Sequence, residues 1–401
     1  GLSVGLCTLV SITLIFLGNS IADLLTIEEI GLPLKVSSLM FLLLGVSNIC
    51  SALLQRAGKI LFIGKVQAFG TITGNIFVTV PLLYFDIGYW AIIIGLWISE
   101  LISILFILQK GWGNLRYKIY KKELVEISKY ASAFFFNNTL GLLSQQLDIA
   151  IVSRFLGSAT LGNYSRAMQL VEFPNQIYLL VVDRVVFPVM AAMKSEKDKL
   201  VVFFLQSLSL LSLALTLGSI LLIVGAHEIV LIMMGSQWGV VGDLLQILAS
   251  CIIFRALSSF MDSFLAAYDL VKILTIKQVT SLFILLFSVW FGLDYGVIGV
   301  AYAVVIASIL RFSLTLMFII MYTRITCYQL INKFSPSLFT AVFITALYLL
   351  VSKLPILAGL LGGVVSILIF IIFCFINPME IFLTDKGAMF IKKKKATLLK
   401  Y

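Results

Sequence analysis

Charged side chains set inside apolar stretches are the first chemistry this sequence offers. Arg154, Arg166, Arg184, Arg255 and Arg311 lie within or beside long apolar runs, and Glu100, Asp148, Glu172, Asp183 and Asp262 are their acidic counterparts. A charge at the centre of a membrane helix costs about 2.5 to 3.5 kcal/mol on insertion scales, so each must face protein or a wet cavity. Two chemistries follow: ion pairs that stitch helices together, or a hydrophilic cavity that receives a polar ligand. Metal and thiol chemistry has little to work with. Cys7, Cys50, Cys251, Cys327 and Cys374 are scattered without a CxxC pair, and His227 is the one histidine, so neither a zinc site nor a disulfide framework is expected. No cofactor is expected either.

Spacing groups some of these residues. Asn138, Gly141, Gln145 and Asp148 follow at steps of three, four and three, which places them on one face of a helix. Arg166, Gln169, Glu172, Gln176 and Asp183 follow at steps of three, three, four and seven, again on one face, and Pro174 within this stretch removes a backbone donor and can kink the helix. Two polar faces on successive helices suggest a hydrophilic vestibule. The alternative is that the charges cancel locally, Asp148 with Arg154 or Arg166 with Glu172, and merely hold the bundle together.

Positioning such groups takes helices that cross a bilayer, and the composition supplies them. Of 401 residues, 61% are hydrophobic and 12% charged, against roughly 25% charged in a soluble domain, and the mean hydropathy is +1.10. Apolar stretches recur from end to end and give an all-α polytopic membrane protein with about twelve spans. They lie near residues 4–25, 36–55, 65–85, 88–109, 130–155, 161–192, 203–225, 241–268, 273–292, 297–321, 335–352 and 356–376. The connections are mostly roughly 5 to 20 residues long, too short for a soluble catalytic or nucleotide-hydrolysing domain.

The net charge of +10 is explained by topology rather than by nucleic acid. Lysines and arginines concentrate in alternate loops, among them Arg56, Lys59 and Lys65; Arg116, Lys118, Lys121 and Lys122; Lys194, Lys197 and Lys199; Lys272 and Lys277; Arg324 and Lys333; and the tail from Lys386 to Lys400. The opposite loops hold Lys35 and Lys353 alone beside several acids. The positive-inside rule places the basic set, and with it the C-terminus, in the cytoplasm.

Sliding the chain on itself by about 210 residues exposes a weak internal repeat. Lys59-Ile60-Leu61 with Lys65 echoes Lys272-Ile273-Leu274 with Lys277, and Asp86-Ile87-Gly88 echoes Asp294-Tyr295-Gly296. Two spans precede the second copy and none precedes the first, and Gly1 is not an initiator methionine. The expectation is a chain lacking two N-terminal helices, roughly 70 to 90 residues.

The stretch from Asp148 to Met193 resembles the Wzx-type polysaccharide flippases of the multidrug/oligosaccharidyl-lipid/polysaccharide exporter superfamily. The resemblance rests on Asp148-Ile149-Ala150-Ile151-Val152-Ser153-Arg154-Phe155-Leu156-Gly157, on Leu161-Gly162-Asn163-Tyr164-Ser165-Arg166-Ala167 and on Arg184-Val185-Val186-Phe187-Pro188-Val189. Weaker matches are Gln55-Arg56 and Gly235-Ser236-Gln237-Trp238. It implies a two-lobed exporter fold with the first two helices of the N-lobe missing here. Residues 1–126 would form a partial N-terminal lobe, 127–322 the C-terminal lobe, and 323–401 two extra helices with a basic cytoplasmic tail.

The resemblance further implies a substrate, an oligosaccharide repeat unit on an undecaprenyl diphosphate carrier, moved across the bacterial inner membrane by alternating access for O-antigen, capsule or exopolysaccharide. Arg154, Arg166, Arg255 and Arg311 would attract the diphosphate, since guanidinium offers a planar set of donors that stays charged. Gln145, Gln169 and Gln176 would hydrogen-bond sugar hydroxyls. Asp148, Glu172 and Asp262 are the candidates for proton or sodium coupling, and a glycan polymerase and a chain-length regulator are the expected protein partners. A multidrug or cation antiporter of the same superfamily would favour acidic groups in its cavity, which five arginines argue against. A membrane glycan polymerase would need a substantial external loop.

Overall fold

The computed structural model describes residues 2–25, 31–111, 121–182 and 186–351. The expected span at 356–376 and the basic tail lie outside these residues, as do Asp183, Arg184, Arg116 and Lys118. The described residues form helices joined by turns, with no strand among them. The chain divides into two compact units at residues 134 and 135.

The first unit contains α1 (Leu2–Leu25), α2 (Gly31–Ser38), α3 (Met40–Arg56), α4 (Ile60–Ile72), α5 (Val80–Tyr84) and α6 (Trp90–Gly111); α3 and α4 pack on α6, and α1 packs on α2 and α3. The span expected at 65–85 is a continuous rod with a π-helical turn, Thr73–Thr79, between α4 and α5. A side chain at Gly74 would collide with the Gly95 carbonyl, so this close approach to α6 requires glycine. Cys50, Leu54, Ile63, Val66 and Ile107 form the unit's small core. Outward faces carry exposed apolar side chains such as Phe16, Leu61 and Phe77, the surface that a bilayer rather than water accommodates.

The second unit follows from α7 (Lys121–Leu156), whose first residues belong to the first. It contains α8 (Ser158–Val181), α9 (Phe187–Ala192), α10 (Lys197–Val224), α11 (Ala226–Met234), α12 (Gly239–Leu248), α13 (Cys251–Ala267), α14 (Val271–Gly292), α15 (Gly296–Tyr322) and α16 (Cys327–Val351). Its core is much larger and centres on α13, where Phe204 of α10 stacks on Phe264 at 4.0 Å and Phe260 at 5.3 Å.

Several sequence-derived spans resolve differently from expectation, among them 161–192, where α8 ends at Val181 and α9 begins at Phe187, and 335–352, where the helix begins at Cys327. The stretch 241–268 is two helices, α12 and α13, bent by 46°. Ser250 at the break donates its hydroxyl to the Ile247 carbonyl at 2.7 Å, the back-bonding that bends helices. The stretch 130–155 begins earlier, at Lys121, because helix continues through residues too polar to count as apolar span. Six helical stretches, or seven with the bent pair, are long and apolar enough to cross a membrane among the described residues. One of the six, Val271–Tyr322, contains both α14 and α15. These two meet closely, since a Cβ at Gly292 would stand 2.7 Å from the Gly299 carbonyl oxygen. Helices α7 and α8 are not among the six; the polar faces that carry the candidate site lower their hydropathy.

Candidate functional site

Helices α7 and α8 are joined through Gly157 alone, at φ 85° and ψ 169°, a backbone conformation open essentially to glycine. This single-residue joint folds the two polar faces back within one unit. Asp148 of α7 is fully buried. The Tyr164 hydroxyl of α8 donates to its Oδ2 at 2.7 Å, and the Ile149 amide to its Oδ1 at 3.0 Å.

Helix α13 supplies the organising face. Arg255, Ser258, Ser259 and Asp262 fall at positions i, i+3, i+4 and i+7, one stripe of a helix. Arg255 donates from Nη1 to Glu172 Oε1 at 2.6 Å, with Nη2 4.0 Å from Asp148 Oδ2, and Asn175 donates to the other Glu172 oxygen at 3.0 Å. Two turns along, Lys277 of α14, itself fully buried, donates to both oxygens of Asp262 at 2.5 and 2.6 Å and to the Ser258 hydroxyl at 3.0 Å. The Ser258 and Thr315 hydroxyls are 3.0 Å apart, which ties α13 to α15. Arg311 of α15 brings Nη2 to 3.8 Å from Asp262 Oδ2, an ion-pair distance too long for a hydrogen bond.

Between these groups lies a cavity of about 70 Å³. Ser144 and Gln145 line it from α7, Glu172 and Asn175 from α8, Arg255 and Ser259 from α13, Ser281 from α14, and Ser308 and Arg311 from α15. Three atoms of its lining residues, Asn175 Oδ1, Ser281 Oγ and Arg311 Nε, are themselves fully buried and without a hydrogen-bond partner.

The sequence-derived residues thus separate. Gln145, Glu172, Arg255 and Arg311 line the cavity, while Asp148 and Asp262 stand in ion-pair contact with its arginines. Arg166, Gln169 and Gln176 are exposed on other positions of α8, Arg166 donating to Gln169 at 3.0 Å, and Arg154 is exposed near the end of α7. The alternative local pair of Arg166 with Glu172 is not what forms: Glu172 binds Arg255 from 83 residues away. Asp148 likewise takes Tyr164 and Arg255 as partners.

Lys277 corrects the sequence reading, which counted it with the loop lysines. Helix α14 begins at Val271, so Lys277 is nearly two turns inside and faces α13. The available signal was Lys277 and Ser281 at i and i+4 within an otherwise apolar helix. His227 is about half exposed and pairs with Asp243 at 3.1 Å. No cluster of metal-ligating side chains occurs among the described residues.

Apolar helices enclosing three bases and three acids around a small cavity define a polytopic membrane protein with a polar pocket inside one helical unit. Its fold is that of a flippase: the chain is similar to the lipid II flippase MurJ in its inward closed conformation, with a TM-score of 0.66 and 17% identity, covering 92% of this chain and 82% of that one. The chain belongs to the polysaccharide biosynthesis protein family, which matches residues 2–243. It is 24% identical over 318 residues to the lipopolysaccharide biosynthesis protein WzxC of Escherichia coli K12, covering 77% of this chain and 63% of WzxC. It is 23% identical over 254 residues to the teichuronic acid biosynthesis protein TuaB of Bacillus subtilis 168, covering 60% of this chain and 50% of TuaB. The chain therefore spans half to just under two thirds of these curated relatives.

Proposed function

We propose that this chain is the transport unit of a flippase that moves undecaprenyl-diphosphate-linked oligosaccharide repeat units across the bacterial cytoplasmic membrane. The product would be a surface polysaccharide, and the protein would be a multi-pass membrane protein with its C-terminus in the cytoplasm, working by alternating access without covalent chemistry of its own. The observation that carries the reading is the arginine-bearing polar cavity inside an otherwise apolar unit of flippase fold. Family membership and the names of the relatives point the same way.

Charge balance favours this over a cation exporter. Of the charged side chains that line the cavity two are arginines, Arg255 and Arg311, and one is a carboxylate, Glu172, so the lining itself carries the positive surplus that suits an anion. In this reading Arg255 and Arg311 meet the diphosphate inside the cavity, and Arg154 and Arg166 act outside it. Gln145, Gln169 and Gln176 contact glycan, and Asp148, Glu172 or Asp262 carries a coupling proton or sodium ion. A glycan polymerase and a chain-length regulator are its partners.

The test is to deplete the parent protein in its own cell and follow the lipid-linked oligosaccharide. Accumulation of complete repeat units in the cytoplasmic leaflet, with loss of surface glycan, is the expected result. Failure to make the units would point to an enzyme, and unchanged pools would refute the transport role.

A further inference from the structure

The internal repeat visible in the sequence has a structural counterpart. In the turn after α3 the amides of Ala57, Gly58 and Lys59 donate to the carbonyls of Leu53, Gln55 and Leu54. In the turn after α13 the same three bonds recur 211 positions on, from Tyr268, Asp269 and Leu270 to Phe264, Ala266 and Leu265. Gly58 and Asp269 both stand at φ 74°, and Gly88 before α6 and Gly296 at the start of α15 both stand at φ 67°. Helices α3, α4 and α6 therefore correspond to α13, α14 and α15.

Every charge that α13, α14 and α15 bring to the polar network is missing from the matching helices. Counted from the matched turns, Arg255, Asp262 and Lys277 correspond to Leu44, Ser51 and Val66; counted from the matched glycines, Arg311 corresponds to Ser103. The first unit carries a charge of its own instead. Glu100, twelve residues after Gly88, takes the place of Ser308, twelve after Gly296 and in the cavity lining. It is the one acid of the span Trp90–Lys110 and sits about 15 Å from either end of α6, the centre of a hydrocarbon core about 30 Å thick. Ile104 and Ile107, at i+4 and i+7, are buried, so Glu100 lies on the inward stripe of the helix, and it is itself half-buried.

Among the described residues nothing neutralises this carboxylate. Glu100 has no hydrogen bond and no ion pair, and even Trp97, one turn before it, keeps its buried Nε1 without a partner. The elements packed on α6 bring Cys50 from α3, Lys65 from α4, Lys35 from α2 and Tyr84 from α5, none of them bonded to it. Lys110, ten residues along α6, sits over the Phe62 ring at 4.0 Å. In the second unit Asp148, Glu172 and Asp262 each stand in contact with a base, so a cation reaching them must displace an arginine or a lysine. At Glu100 it displaces nothing, and the cost of an unpaired charge at the membrane centre favours its arrival. One carboxylate is neutralised by one positive charge, and no cluster of ligands for a multivalent ion occurs among the described residues.

We propose that Glu100 is a binding site for a monovalent cation, sodium or a proton, inside the first unit. It adds a fourth acid to the three named for ion coupling, and the one that no base holds. The proposal rests on the flippase reading only in making this cation one that can drive transport.

The test pairs two measurements. Sodium NMR of the purified full chain in detergent, with choline replacing sodium at constant ionic strength and size-exclusion elution as the check on folding, reads binding. Surface-glycan export against external pH, in cells carrying the variant in place of the parent protein at normal level, reads the proton. Glu100→Gln removes the charge, Glu100→Asp keeps it, and Trp97→Arg supplies from one turn away the base that the unit lacks. Glu228→Gln, at an exposed acid of α11, is the control.

Saturable broadening of the sodium signal that Glu100→Gln and Trp97→Arg weaken by about tenfold or more, and Glu100→Asp by less than about threefold, assigns the site to sodium. Where sodium binding does not depend on Glu100, a pH dependence of export that Glu100→Gln flattens and Glu100→Asp keeps assigns it to the proton. Should Glu100→Gln fail to fold, Trp97→Arg decides. Variants that match the unsubstituted protein in both measurements overturn the proposal, as does a loss shared in full by Glu100→Asp or by Glu228→Gln. So does an unsubstituted protein that shows neither response. The sodium measurement involves no glycan and the depletion experiment no ion, so the two readings fail separately.

Discussion

Asparagine at position 262 should destabilise this protein more than methionine at position 277, although each removes one side of the same ion pair. Lys277 is fully buried, and its donors go to Asp262 and Ser258. Asp262→Asn leaves its ammonium without an anion and with the Arg311 guanidinium close to the vacated charge. Removing one partner of a buried pair costs about 3 to 5 kcal/mol, and the second cation puts this variant at the upper end. Lys277→Met leaves Asp262 about a quarter exposed and 3.8 Å from Arg311. In an effective dielectric of about 20, that pair retains a raw attraction of about 4 kcal/mol, so the net cost falls to about 1 to 3 kcal/mol. The double variant removes both charges of the pair but leaves Arg311 without its carboxylate, so it should cost about 1 to 3 kcal/mol, which still gives a coupling energy of at least about 3 kcal/mol. Unfolding of the purified full chain by denaturant in mixed micelles, followed by circular dichroism, measures all three. Additivity within about 0.5 kcal/mol, or a Lys277→Met cost equal to that of Asp262→Asn, would refute the arrangement.

Three further outcomes are expected of the same unfolding measurement. Tyr164→Phe withdraws the phenolic donor from the fully buried Asp148 carboxylate and should cost about 1.5 to 3 kcal/mol; no change would mean that Asp148 does not need it. Gly157→Ala forces a Cβ onto φ 85° and ψ 169° in open space, so about 1 to 3 kcal/mol is lost to backbone strain alone, and a neutral result would place the α7–α8 joint in another conformation. Ser212→Ala breaks the 2.6 Å hydroxyl contact to Ser337 that links α10 and α16. The expected cost is small, about 0.6 kcal/mol, as is usual for interhelical hydrogen bonds in membranes, and a loss above about 2 kcal/mol would assign that contact a larger role.

Helical membrane character needed no tertiary information. Hydropathy and helical period are local properties, and the span boundaries of α1, α6, α14 and α15 follow them to within a few residues. The stripe on α8 was visible for the same reason: Arg166, Gln169, Glu172 and Gln176 repeat at helical spacing whatever surrounds them. Spacing does not reveal where a stripe divides, and here Glu172 turns to the cavity while Arg166 and Gln169 bond to each other on an exposed face.

Charge partnership lay beyond sequence reading altogether. Local pairing was the alternative that the sequence left open, because neighbours on a helix are always within reach, yet Glu172 takes Arg255 and Asp148 takes Tyr164 and Arg255. Lys277 was assigned to a loop because lysines near span ends normally sit at the membrane surface. Only the packing of α14 against α13 makes it a buried counter-ion. The physical reason is that the cost of burying a charge is local to its helix, whereas the compensation comes from whichever helices the fold brings alongside.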